Sequence, residues 1–140
     1  MEQNIEVPAD WESIAHLMAF SDEFECRLAL SEEQKYLLRL AIEEIATNII
    51  KYGYDSGSYG VIQLGCSCTD GVLRVAIRDQ GRPFDPHEVP APDLCESLEQ
   101  RVVGGLGVFL VRELADDLSY SHDTGSGWNE LVIIKRREDA

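Results

Sequence analysis

Two runs of alternating residues constrain this chain most: Ile62, Leu64, Cys66 and Cys68, then Leu73, Val75 and Ile77, joined by Asp70-Gly71. A period of two puts each set on one face of a strand, and Asp-Gly supplies the residues that a tight hairpin turn demands. The segment is therefore predicted to be an antiparallel hairpin with one apolar face. That face requires a covering layer.

The cover is legible on both sides of the hairpin. Upstream, Ile5-Glu6-Val7 reads as a short strand, and Asp10 stands as an N-cap before Ile14, Leu17, Met18 and Phe24 at helical spacing. Ser31-Glu32-Glu33-Gln34 is a capping box, in which Ser31 and Gln34 satisfy each other's backbone donors ahead of a long apolar helix to about Lys51. Downstream, a helix is predicted from Gly105 to about Asp116. A strand around Leu118 to Ser121 follows, then a Gly125-Ser126-Gly127 turn and a last strand at Leu131 to Ile134. The pattern predicts an α+β fold, a two-layer α/β sandwich with helices on one face of a mixed, mostly antiparallel sheet. One domain over residues 1–140 is expected. Between Gln80 and Val103 lie more than twenty residues, four of them proline, with no convincing strand. A connection that long is usually a lid or a disordered insert.

Composition removes several function classes. The formal charge of -14, from 26 acidic and 12 basic residues, argues against a nucleic-acid partner, which needs clustered Lys and Arg. It does not exclude a phosphorylated ligand, because exposed charges are screened beyond about 8 Å while a cation and a helix N-terminus act at contact distance. No apolar run reaches the roughly 18 residues that cross a bilayer, so no membrane span is expected. The start Met1-Glu2-Gln3-Asn4-Ile5-Glu6 lacks the basic and apolar parts of a secretory signal, which points to the cytoplasm. Cys26, Cys66, Cys68 and Cys95 show no paired metal-binding spacing and are expected to be reduced, mostly in the core.

Three short constellations could carry chemistry. On the long helix Leu37, Ala41, Glu44 and Asn48 share a stripe, so a carboxylate and an amide border the core. Asn48 could offer an oxygen to a hard cation and Glu44 could accept a proton, or both could sit on a solvated face. Asp79-Gln80-Gly81-Arg82-Pro83-Phe84-Asp85 ends a strand, where Asp79 could accept from an exocyclic amine and Gly81 could open a backbone path closed to other residues. It could equally be an ordinary Asx turn. Gly104-Gly105-Leu106-Gly107 opens a helix and could seat phosphate oxygens on unpaired N–H groups, or simply allow close packing.

Their order and spacing add what each lacks alone. Glu44-x-x-x-Asn48, then Asp79-x-Gly81-x-Pro83-Phe84-Asp85, then Gly104-Gly105-Leu106-Gly107-x-Phe109-Leu110 resembles the N, G1 and G2 boxes of the Bergerat-fold (GHKL) ATP-binding superfamily, over roughly residues 31–136. The Pro83-Phe84-Asp85-Pro86 extension and Asp116-Asp117 resemble the bacterial anti-sigma-factor serine/threonine protein kinases. The resemblance implies ATP and Mg2+ as cofactors, with Glu44 the general base, Asn48 the magnesium ligand and Asp79 the acceptor for the adenine amine. It also implies that Gly81 and Phe84 border the adenine, that Gly104, Gly105, Leu106 and Gly107 serve the phosphates, and that residues 81–103 form an ATP lid. Lys51 stands where many relatives have histidine, and Gly127-Trp128-Asn129 where many have Gly-Thr, which leaves Asn129 beside the adenine. A sigma factor and a small anti-sigma-factor antagonist are the implied protein partners, and a homodimer is compatible. The alternative is a non-catalytic regulator whose protein-binding surface is gated by Mg-ATP.

Overall fold

The hairpin forms as its pattern requires. In the computed structural model, which describes residues 2–55, 59–90 and 105–138, β2 (Val61–Thr69) and β3 (Val72–Asp79) pair antiparallel with Thr69 opposite Val72. Asp70 and Gly71 turn the chain at φ 54° and 78°, the left-handed values of a tight two-residue turn. Strand β1 (Gln3–Pro8) pairs with the outer edge of β2, and β5 (Asn129–Arg136) with the other edge of β3. β4 (Asp117–His122) closes the sheet beyond β5, giving the order β1-β2-β3-β5-β4. Every ladder is antiparallel, so the sheet goes further than the mostly antiparallel expectation. The cause is the last hairpin: β4 is laid at the far edge, and β5 folds back into the gap beside β3.

Helices α1 (Ser13–Arg27), α2 (Glu32–Asn48) and α3 (Gly105–Leu114) supply the second layer. Leu17 and Phe24 of α1, Leu37, Leu38 and Ile42 of α2, and Val108 and Val111 of α3 are buried with Ile62, Leu64, Leu73, Val75 and Ile133 of the sheet. Asp10 acts slightly earlier than an N-cap: its Oδ1 accepts from the Ser13 N–H at 2.9 Å, three residues before regular helix is established. Cys66 lies in this core, where burial pushes its thiol up to about 12, and it behaves as a small apolar side chain. Cys68 is half-buried, Cys26 is exposed, and Cys95 lies outside the described residues.

The capping box does more than start α2. The Ser31 N–H donates to Gln34 Oε1 at 3.0 Å and the Gln34 N–H to Ser31 Oγ at 3.1 Å. Gln34 Nε2 then donates to the Gly71 and Lys135 carbonyls, both at 2.9 Å, tying the helix to the hairpin turn and to the end of β5. Gln34→Ala orphans both carbonyls and one N–H, a loss of about 1–3 kcal/mol that thermal or urea unfolding will register.

Candidate functional site

At its other end α2 does not stop cleanly. It widens into a π-helical turn, Ile49–Gly53, of the kind that inserts an extra residue into a helix and is frequent at functional sites. This turn carries Tyr52 and Gly53 against the end of β3. The Gly53 carbonyl accepts from the Arg82 N–H at 2.7 Å, and a Cβ on Gly81 would stand 2.6 Å from that same oxygen. Gly81 is therefore required for space. The backbone path closed to other residues is thus one of close approach and not of left-handed φ: among the described residues the positive-φ glycines are Gly71 and Gly127.

Asp79, the last residue of β3, is buried beneath this contact. Its Oδ2 accepts from the Gly81 N–H at 2.9 Å and from Asn129 Nδ2 at 3.3 Å. Oδ1 has no donor among the described residues. Burial raises the Asp79 pKa, and the two donors pull it partly back. The side chain lines a cavity of about 210 Å³ whose walls include Ile45, Ile49, Ile77 and Leu131. Asn48, Phe84 and Asn129 also border it. The Asn48 side chain has no hydrogen-bond partner among the described residues, so its amide oxygen is available to a ligand. An apolar slot with one free carboxylate oxygen fits a flat heterocycle bearing an N–H donor. Asn48 at its edge fits a hard cation that keeps most of its waters.

Glu44 stands apart from that lining. It packs against the first turn of α3, where its carboxyl occupies the space that a Gly107 side chain would need. Burial raises the Glu44 pKa, Glu43 raises it further and Lys51 lowers it. Gly105 opens α3, Leu106 is exposed, and Gly104 lies outside the described residues. The predicted residues thus form two adjoining groups: Asp79, Phe84, Asn129 and Asn48 around the cavity, and Glu44 with Gly107 at the helix start. A nucleotide lying with its base in the first and its phosphates at the second would span both.

Asn129 proves to be fully engaged by the protein itself. Its Nδ2 donates to Asp79 Oδ2 and, at 2.9 Å, to the Gly81 carbonyl, while its Oδ1 accepts from Tyr120 OH at 3.2 Å and faces His122 Nδ1 at 2.6 Å. Sequence reasoning missed Tyr120 and His122, and also Tyr54, whose OH accepts from the Gln80 N–H at 2.7 Å and donates to the Val61 carbonyl. The available signal was that Leu118, Tyr120 and His122 alternate on one strand face; their use needed the β4–β5 register.

The start of the expected lid is pinned to the site. The Phe84 N–H donates to Tyr120 OH at 3.0 Å, and His87 lies between Asp85 Oδ1 and the Leu118 carbonyl. Arg112 of α3 donates to the carbonyls of Pro86, His87 and Val89 around a short 3-10 turn, Pro86–Glu88. Residues 91–103 of the expected lid lie outside the described residues. Among the described residues no helix is long and apolar enough to cross a membrane, and no group of three or more His, Cys, Asp or Glu converges as a metal cluster.

Known proteins resemble this chain in sequence and in fold. Over 116 residues the chain is 29% identical to a serine/threonine-protein kinase, BtrW, of Bordetella bronchiseptica, covering 83% of this chain and 76% of that protein. It is 31% identical over 103 residues to the serine-protein kinase RsbW of Listeria monocytogenes, covering 71% of this chain and 66% of the kinase. The crystal structure of the RsbU and RsbW domains of a Mycobacterium tuberculosis protein superposes with a TM-score of 0.69 at 16% identity, over 97% of this chain and 32% of that one. A histidine kinase domain from Erythrobacter litoralis superposes at 0.57 and 19% identity, over 93% of this chain and 61% of that one. These two share the fold. Residues 7–135 match the family described as the histidine kinase-like ATPase domain, and the chain belongs to that family.

Proposed function

We propose that this protein is an ATP-dependent serine/threonine kinase and anti-sigma factor, which holds a sigma factor in one state and transfers the ATP γ-phosphate to a small anti-sigma-factor antagonist. One observation carries the reading: an apolar cavity is lined by Asp79, whose Oδ1 has no donor among the described residues, and by Asn48, one helical turn along α2 from the Glu44 that packs on the start of α3. Serine kinases at 29% and 31% identity support the same assignment.

In this mechanism Asp79 Oδ1 accepts from the exocyclic amine of adenine, and Ile45, Ile49, Ile77 and Phe84 cover the ring. Gly81 leaves room for the turn beneath it. The N–H groups of Gly105, Leu106 and Gly107 face the phosphates, where a helix N-terminus favours negative charge. Asn48 would hold Mg2+, which when bound neutralises phosphate charge as transfer proceeds. Glu44 takes the proton of the attacking hydroxyl, and its raised pKa makes it a better base than an exposed glutamate. A cytoplasmic location, an ATP lid over 81–103 and a homodimer belong to the same proposal.

Calorimetry of Mg-ATP with the unaltered chain, Asn48→Ala and Asp79→Asn tests the pocket, and γ-phosphate transfer to a purified antagonist protein tests the chemistry. Each substitution should weaken binding about ten- to a hundredfold, the effect of losing one charge-assisted contact. Binding without transfer would favour the nucleotide-gated regulator. No binding by the unaltered chain at about 1 mM, near -4 kcal/mol, would end the nucleotide reading.

A further inference from the structure

Asn129 is 2% exposed and has no spare hydrogen-bonding capacity: both amide hydrogens and both lone pairs of its oxygen are used. The orientation of the amide follows from its neighbours. Reversing it would set the amide oxygen against Asp79 Oδ2 and the Gly81 carbonyl, two acceptors that have no hydrogen to offer. His122 must then carry its hydrogen on Nδ1, as a donor to Asn129 Oδ1. Tyr120 closes the arrangement by accepting from the Phe84 N–H and donating to the same Oδ1.

The consequence reaches the cavity through Asp79. With Oδ2 held by Asn129 and Gly81, the carboxylate is fixed in one orientation, and Oδ1, which has no donor among the described residues, is the acceptor left for a ligand in the cavity that Asp79 lines. We propose that Tyr120 and His122 are the positioning residues that set which purine the pocket accepts, by locking Asn129 so that Asp79 presents a fixed acceptor to a 6-amino group and repels a 6-oxo group. Tyr120 also lines the cavity, whereas His122 does not and acts through Asn129 alone. The inference rests on the reading of this cavity as an adenine pocket, and it deepens that reading by assigning selectivity to two side chains of the edge strand β4.

The comparison of Mg-ATP with Mg-ITP reads the effect, because inosine replaces the 6-amino donor by an oxo acceptor, turns N1 from an acceptor into an N–H donor beside it, and leaves the phosphates unchanged. Calorimetry on the full chain should show ATP favoured by about a hundredfold, the discrimination of a site that leaves a buried acceptor facing another acceptor. In Tyr120→Phe/His122→Phe the ratio should fall about tenfold, through weaker ATP binding with little change for ITP. Tyr120→Phe/His122→Asn should recover part of it, since the Asn amide can donate from near the position of the histidine Nδ1. His122 is exposed, so His122→Phe alone provides the same reading in a protein that folds should the double variant fail. A wild-type ratio in the phenylalanine variants, or equal losses for ATP and ITP, would overturn the proposal. Failure of the unaltered chain to bind Mg-ATP is a separate result that removes the adenine pocket itself.

Discussion

Glu44→Gln should lower γ-phosphate transfer by about 10²–10⁴-fold while leaving Mg-ATP binding close to that of the unaltered chain, because glutamine keeps the shape of the side chain and loses the base. Shape matters here, since the Glu44 carboxyl fills the space left open by Gly107. The pH profile gives an independent check. Burial raises the Glu44 pKa, so the carboxylate form that acts as base is populated only above a value higher than the ordinary glutamate range. Transfer should therefore rise with pH through that elevated value, and the rise should vanish in Glu44→Gln. The same shift has a stability sign. A glutamate with a raised folded-state pKa costs nothing below its ordinary range and destabilises as pH climbs through the folded value, so Glu44→Gln should raise the melting temperature at neutral pH. Unchanged transfer in this variant would remove Glu44 from the chemistry, whatever binding shows.

Gly81→Ala is expected to abolish measurable Mg-ATP binding, a loss of about a hundredfold or more, and to destabilise the fold by about 1–3 kcal/mol, the usual range for overpacking. A methyl there would lie 2.6, 2.7 and 2.8 Å from the oxygen, carbonyl carbon and Cα of Gly53. All three atoms are backbone, so no rotamer change relieves the clash. Relief requires the π turn and the β3 end to separate, which breaks the Arg82 N–H to Gly53 carbonyl bond and unseats the Gly81 N–H from Asp79 Oδ2. Gly125→Ala is the matched control. Its added methyl would meet only Asp123 Oδ1, at 3.4 Å, and Gly125 is not among the positive-φ residues. Calorimetry and thermal unfolding of the pair separate a general glycine effect from this contact; similar behaviour of the two variants would refute it.

Features that depend on near neighbours could be read before the fold was known. The Ser31–Gln34 box, the Asp70-Gly71 turn and the alternation through Ile62 and Leu73 are local patterns, and each forms where it was expected. The order of the Glu44, Asp79 and Gly105 segments was likewise legible, although only the fold shows that Glu44 meets Gly107 while Asn48 meets the cavity. Features set by distant partners were not. The π turn at Ile49–Gly53 has no propensity signature, because what stabilises it is the packing of Gly53 on Gly81. Strand β4 was seen as shorter than it is, since Ser119 and Ser121 face solvent on an edge strand and dilute its apolar signal. The engagement of Asn129 by Tyr120 and His122 depends on the pairing of His122 with Asn129 and of Tyr120 with Leu131, which no local pattern specifies.

Asp79 and Asn129 are direct partners across the β3–β5 ladder. A slip of β5 by one residue would turn Asn129 to the opposite face and bring Trp128 or Glu130 into the cavity wall in its place, because side chains alternate along a strand. What the pocket admits is thus a matter of counting residues between β4 and β5. The Asp123–Trp128 turn, with Asp123 bonded to Ser126 and Gly127 at φ 81°, does that counting. Lengthening or shortening it by one residue would alter ligand choice without touching a residue that faces the ligand. An outward-facing turn thereby fixes the composition of a cavity to which it contributes no side chain.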